Sequence, residues 1–408
     1  MNVENNKQIR NLQILTALNS ISYGIIYCFI SPYLLKLGSS HVALGVLAVG
    51  NLIGDLLSSD VVNIFTHVGG KRYALFVILN AGIITNILLV LTDSVAFTIL
   101  VRFLFCLTNQ SQKLCQDLLI AKAENAEMKN RLQRNYNILS SSGFIIGPII
   151  SGYIFDIGFG YTGLLAACLC FLNVQLLMTI SKNSNDDNAE HTDTSVLQKA
   201  INNVSQKYSD FTKCSPEKNW DLLLLKYLFA SSVMIFFTKF APILKHNYDA
   251  SSVTIGYTGS YINAIAFLVA YYISTNSSKL RSYSLAILTE TSFFFLTIFM
   301  FLTCYAPSYQ YYLMFLTSVV FFKSLIISIW QDLFSTRNNA YLSGLNYTAS
   351  TVAGLTTPLV FGFVCDRIAH QAVILFSCMP LAFGWIILKC YSNYVINETK
   401  NVSEKKDL

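Results

Sequence analysis

Arg102, Cys106, Asn109, Lys113 and Asp117 recur at steps of four, three, four and four within an otherwise apolar stretch. On a helix those steps place all five on one face. A charged residue inside an apolar span costs about 2.5–3.5 kcal/mol on the insertion scale. Such a stripe therefore points at protein or at a water-filled cavity, where it binds ions or solutes or relays protons. Three further sets share this character. Thr16, Ser20, Tyr23 and Tyr27 form a polar stripe on the first apolar segment, Thr238 and Lys239 lie in a later one, and Lys323 in one later still. Asp55 and Glu290 are further acids inside apolar segments, and a carboxyl group held away from water can carry a proton. The structural alternatives are that Lys113 pairs with Asp117 one turn away and that Lys239 extends to the outer interface.

Other chemistries find no apparatus. The chain has no HExxH, P-loop or GxSxG pattern, so no catalytic residue is assigned and the chain is not expected to be an enzyme. Gly158, Gly160 and Gly163 match GxGxxG, yet they join two apolar helices and follow no strand. The ten cysteines are mostly isolated in apolar runs and form no CxxC, which argues against a metal site or a disulfide framework. No cofactor is implied. The formal charge of +6 is scattered over short loops with no basic face, so nucleic acid is not an expected partner.

The elements that position these residues follow from composition. Charged residues make up 12% of the 408, about half the soluble norm, which points to lipid as the solvent. Apolar runs near 20 residues, the length that a bilayer core of about 30 Å requires, follow one another at 11–35, 42–65, 73–92, 95–117, 136–158 and 160–180. After a polar gap they resume at 220–243, 253–275, 283–305, 310–332, 341–364 and 370–391. The expected fold is an all-α membrane protein of twelve transmembrane helices. Strand alternation and frequent turn signals are missing.

The two sets of six carry an internal repeat. Pro148, Gly152 and Asp156 recur as Pro358, Gly362 and Asp366, an offset of 210 that also relates Pro32 to Pro242 and Lys113 to Lys323. A duplication of this size predicts two pseudo-symmetric six-helix bundles, 1–180 and 220–391. Residues 181–219 are rich in Asn, Asp, Ser, Lys and Thr and are expected to be a flexible cytosolic linker, with 392–408 as a cytosolic tail. With the N-terminus in the cytosol, twenty cations fall inside and only Lys36, Lys245 and Arg367 outside, which sets the orientation. The sequons at Asn203, Asn276, Asn397 and Asn401 then face the cytosol and should carry no glycan.

Gly143, Gly147, Pro148 and Gly152 form a flat face for close helix approach, with Pro148 removing one backbone hydrogen bond. The stretch Gly143–Gly152 resembles the antiporter signature GxxxGPxxGG of the major facilitator superfamily, with Ser151 replacing a glycine. Together with Asp117 and Arg131 it is similar to the corresponding region of the tetracycline-resistance-like drug:proton antiporters. Gly354, Pro358 and Gly362 resemble that family's weaker second copy. The loop that usually reads GxxxDRxGRR is here Asn63 to Arg72, keeping the basic end without the aspartate. Arg102 resembles the arginine of the motif linked to proton coupling, without the glycine expected after it.

The resemblance implies a cavity lined by helices one, four, seven and ten, with Arg102, Asn109, Lys113, Lys323, Tyr23, Tyr27 and Lys239 on the substrate or ion pathway. Lys113 and Lys323, at equivalent repeat positions, would face each other across the pseudo-two-fold axis and favour an anionic solute. The glycine and proline sets would pack and gate helices. Within the membrane, helices one and seven offer no acid for a cationic amine. The expected function is secondary active transport of a small anionic or amphipathic organic solute by alternating access, coupled to protons. The expected assembly is a monomer in the lipid bilayer of the plasma membrane or an organelle. The alternative is a transport-inactive sensor or scaffold that keeps the fold, which the eroded loop motif favours.

Overall fold

The computed structural model describes residues 3–91, 93–180, 220–276, 285–336, 340–367 and 375–390. The expected linker and tail lie outside the described residues. Every regular element among the described residues is a helix.

The first six expected spans become seven helices: α1 (Val3–Tyr27), α2 (Ile30–Lys36), α3 (His41–Val90), α4 (Val95–Leu107), α5 (Ser111–Ile120), α6 (Ala126–Phe155) and α7 (Phe159–Met178). The second six become α8 (Trp220–Tyr248), α9 (Ser252–Thr275), α10 (Leu285–Cys304), α11 (Tyr309–Thr336), α12 (Ala340–Arg367) and α13 (Leu375–Cys390). Nine helical segments among the described residues are long and apolar enough to cross a bilayer. One of these, α3, has 50 residues in two arms that meet at Gly70, about 75 Å of helix in all and enough for two crossings of a core of about 30 Å. With the α4–α5 pair and the shorter α13, each of the twelve expected spans has a helical counterpart.

Three boundaries differ from expectation. Spans two and three join at a kink instead of a longer loop, the backbone leaving helical geometry at a single residue, Gly70 (φ 80°, ψ 174°), inside the expected break. Only glycine adopts that conformation without strain. Span four breaks at Thr108–Gln110, where Thr108 N–H bonds the Phe105 carbonyl at 3.1 Å and Asn109 N–H the Cys106 carbonyl at 3.0 Å. The Thr108 hydroxyl takes up the same Phe105 carbonyl at 2.9 Å. The fifth span, α6, begins ten residues early, because Asn125 caps it through the Met128 N–H at 2.8 Å.

The described residues fall into two compact units. The first comprises those in Met1–Val204 and Leu244–Ala264, the second those in Ser205–Ile243 and Ile265–Leu408. In the first unit α1 packs on α6 and α7, and α3 on α4 and α7. Its core gathers Leu12, Leu15, Leu75, Leu79, Leu119 and Leu177. In the second, α10 packs on α11, and Ile235, Phe361 and Cys365 form a small core against Phe376.

Candidate functional site

The break in span four divides the polar stripe expected on one face. Arg102 and Cys106 stay on α4, Asn109 falls in the turn, and Lys113 and Asp117 move to α5. The upper group then meets α3. Asn109 Nδ2 donates to Asp55 Oδ1 at 2.9 Å, Gln110 Nε2 to Ser58 Oγ at 2.9 Å, and Cys106 Sγ to Asn51 Oδ1 at 3.5 Å. Gly54 permits this approach, since a Cβ there would sit 2.7 Å from Cys106 Cβ. Arg102 is only 6% exposed. Its guanidinium lies 4.9 Å from the centre of the Phe105 ring, and its Nε has no hydrogen-bond partner. Asp55 is near enough to feel the Arg102 charge, but its carboxylate accepts its hydrogen bond from Asn109.

The lower group behaves differently. Asp117 pairs with Lys71 at 3.1 Å, not with Lys113, which is exposed. The basic end of the loop motif is therefore used within the first unit. Lys71 holds α5, while Arg72 reaches the Leu177 and Met178 carbonyls at the C-terminus of α7 at 3.4 and 3.5 Å. A cation at that helix end is favourable.

The stripe on α1 also divides. The Thr16 and Ser20 hydroxyls bond back to the Leu12 and Thr16 carbonyls at 2.8 and 2.9 Å. Tyr23 turns to α5, its hydroxyl 3.2 Å from Ser111 Oγ and its ring centre 5.2 Å from that of Phe105. Tyr27 is 69% exposed. Asn19, which the stripe did not include, donates to Ser111 at 2.9 Å. Asn19, Ser22, Tyr23, Phe105, Thr108 and Ser111 line a cavity with space for about one water molecule.

In the second unit the lysines lie on rings. Lys323 Nζ, on α11, is 4.1 Å from the centre of the Phe237 ring of α8. Lys226, on α8, reaches back to α11, 4.7 Å from the Trp330 ring and 5.7 Å from Phe229. Sequence reasoning missed Lys226, which sits at the start of a leucine-rich span. Lys239 is 7% exposed and lies beside Cys365 and Asp366. Glu290, one of the two expected proton carriers, is engaged by Lys389 at 3.3 Å.

The glycine motif of α6 makes backbone contact on two sides. Towards α1, a Cβ on Gly147 would sit 2.7 Å from Gly24 Cα, and one on Gly143 would collide with Ser20 Cβ. Towards the first part of α9, a Cβ on Gly152 would sit 3.0 Å from the Ser252 carbonyl oxygen and 3.4 Å from Gly256 Cα. The weaker copy lies within α12, where Gly354 and Gly362 are buried and Pro358 is half-buried. The false dinucleotide motif is a helix junction, with Gly163 fitting against Val90 and Asn86 of α3. Among the described residues no cluster of His, Cys, Asp and Glu has the arrangement of a metal site.

Comparison with known proteins agrees with this architecture. The nucleoside transporter NupG superposes with a TM-score of 0.77 at 12% identity, over 95% of this chain and 99% of its own. A bacterial homologue of the human lysosomal transporter Spinster, in an inward-facing, occupied conformation, gives 0.75 at 12% identity, over 96% and 98%. The human organic anion transporter MFSD10 (TETRAN) gives 0.61 at 11% identity, over 95% and 100%. At such identities the likeness is one of fold. A sequence comparison with curated proteins finds no significant match. The profile of the Major Facilitator Superfamily, however, matches residues 12–358. With that match spanning most of an all-α, multi-pass chain, this membrane transport protein belongs to the major facilitator superfamily.

Proposed function

We infer that the chain is a secondary transporter for a small organic solute bearing an anionic group, working by alternating access with proton coupling. The observation that carries this reading is Arg102. A guanidinium that is 6% exposed, rests on Phe105 and has an unpartnered Nε is a buried cation without full compensation. Burying a charge is costly unless it is paired and hydrogen-bonded. A carboxylate or phosphate on the solute supplies what Arg102 lacks, and the planar guanidinium suits either group. Asp55, adjacent in charge and held by Asn109, is the group assigned to the proton. Glu290 is the weaker candidate because Lys389 already holds it.

Tyr23, Tyr27, Asn109, Lys113, Lys239 and Lys323 are assigned to the solute pathway, and the glycine and proline sets of α6 and α12 to gating. One fold relative is named an organic anion transporter, which is compatible with the reading and at 11% identity adds no more. The proposed protein is a monomer with cytosolic termini, its halves 1–180 and 220–391 joined by 181–219.

Flux in proteoliposomes tests this, with organic anions, cations and neutral compounds, each with and without a pH gradient. Gradient-dependent anion uptake is expected, falling at least about tenfold in Arg102→Gln, the size of one lost charge-assisted hydrogen bond. Cation movement that Arg102→Gln leaves intact would discard the anion site. Folded protein that moves none of the solutes would replace transport with the sensor or scaffold reading.

A further inference from the structure

Pro148 sits inside α6, and a proline there has no N–H to give to the carbonyl four residues earlier. That carbonyl belongs to Phe144. It is not left unsatisfied, because Asn263 of α9 donates to it through Nδ2 at 3.0 Å. One residue on, the Ile145 carbonyl accepts from Ser260 Oγ at 2.6 Å. Both donors come from the part of α9 that belongs to the first unit. They reach α6 because α9 is bare where the helices touch. A Cβ on Gly256 would collide with the Pro148 carbonyl oxygen, and one on Gly259 would sit 3.5 Å from Pro148 Cβ and 2.8 Å from Cys28 Sγ. Lower on the same seam the Tyr153 and Tyr257 hydroxyls meet at 2.8 Å.

We propose that Asn263, supported by Ser260, is a positioning residue that latches α9 to α6 by supplying the hydrogen bond that Pro148 removes. The inference rests on the alternating-access reading, in which helices of this kind must part and rejoin. When the seam is closed, the Phe144 carbonyl is paired with Asn263. When it opens, both groups lose that partner together, so the proline makes closure specific to one side chain. A small-residue seam without the proline would close through packing alone. Here the vacancy in the α6 hydrogen-bond ladder and the amide that fills it are matched parts.

Cys28 reports on this seam, being buried and against the Gly259 position. The test is the rate of Cys28 alkylation by N-ethylmaleimide in the full chain in proteoliposomes, read by mass spectrometry of the Cys28 peptide. Wild type, Asn263→Leu, Pro148→Ala and the double variant are compared. Asn263→Leu is expected to raise the rate about tenfold, the ratio implied by a buried carbonyl left without a donor. Pro148→Ala restores the missing N–H of α6, so in that background Asn263→Leu should change the rate less than about twofold. Ser260→Ala, a smaller change, runs beside it. Because Ser260 serves the Ile145 carbonyl, which Pro148 does not free, its expected rise of about threefold is the same in both backgrounds. Asn263→Ala is the milder variant of the latch itself, in case Asn263→Leu does not fold. Its rise of about threefold should fall below about twofold in the Pro148→Ala background. An equal increase from the Asn263 variants in both backgrounds would reduce Asn263 to packing, and an unchanged rate with Pro148 present would remove the latch. The readout needs no solute. A latch without flux would overturn the transport reading alone, and flux without the latch would overturn this inference alone.

Discussion

Gly147 and Thr357 occupy the same place in the two repeats, each immediately before the shared proline, yet they close their seams by opposite means. On α6, Gly147 lets the backbone of α1 come within van der Waals contact at Gly24. On α12, Thr357 keeps its side chain and donates to Ser231 of α8 at 2.9 Å, with Tyr227 and Thr356 meeting 3.1 Å apart nearby. At this one position the two repeats have diverged, towards shape in one and towards hydrogen bonding in the other. Within lipid both solutions work, because helix association rests on close packing and interhelical hydrogen bonds.

Exchanging the two residues is the strongest way to break this comparison. Gly147→Thr would push three heavy atoms into the α1 backbone, which has no rotamer with which to yield. A cost of about 3 kcal/mol, the upper end for overpacking, is expected as a lowered midpoint of thermal unfolding in detergent. Thr357→Gly removes one hydrogen bond and adds a helix glycine, for about 1–2 kcal/mol. Equal losses in the two variants would mean that the seams are interchangeable, and the contrast would fall.

The halves differ again where the polar residues sit. In the first unit several polar groups answer one another: Asn19 with Ser111, Asp55 with Asn109, Gln110 with Ser58. The second lays Lys226 and Lys323 on Trp330 and Phe237. A ring face is worth about 0.5–2 kcal/mol to a cation and demands no exact geometry. A buried hydrogen bond, once broken, leaves its partner unmet. Asn19→Leu is therefore expected to destabilise by about 1–3 kcal/mol. Lys226→Met, which removes a partly desolvated charge as well as its ring contact, should stay within about 1 kcal/mol of wild type. Unfolding midpoints of the two variants decide the matter, and a larger loss for Lys226→Met would reverse the assignment of polar order to the first half.

These differences were unevenly legible in the sequence. Span lengths and all-helical character could be read because lipid demands about 20 apolar residues and internal pairing of every backbone group. The repeat could be read because prolines, glycines and one lysine kept their spacing. The break after Leu107 could not, since Thr108–Gln110 contains neither glycine nor proline and the turn depends on local hydrogen bonds. That break moved Lys113 away from Arg102 and gave Asp117 to Lys71, a partner 46 positions distant. Pro148 announced a carbonyl in need of a donor, but only the packing of α9 identified Asn263. Ser111 was invisible for the same reason as the break, because its role depends on where α5 starts.

The ion pairs give the finest comparison. Lys71–Asp117 in the first unit spans 3.1 Å with side chains 43% and 37% exposed, and Lys389–Glu290 in the second spans 3.3 Å with 65% and 24%. Water screens the first pair on both sides, whereas Glu290 is the more sheltered of the two acids. A double-mutant cycle on Lys71→Met and Asp117→Asn should give a coupling of about 0.5 kcal/mol, and one on Lys389→Met and Glu290→Gln about 1 kcal/mol. Raising the salt to 1 M shortens the screening length to about 3 Å and should erase most of the first coupling while sparing more of the second. If both couplings vanish together, Glu290 is as wet as Asp117. The second half would then have no sheltered carboxylate among its described ion pairs, and Asp55 would be left as the stronger candidate of the two for a proton held away from water.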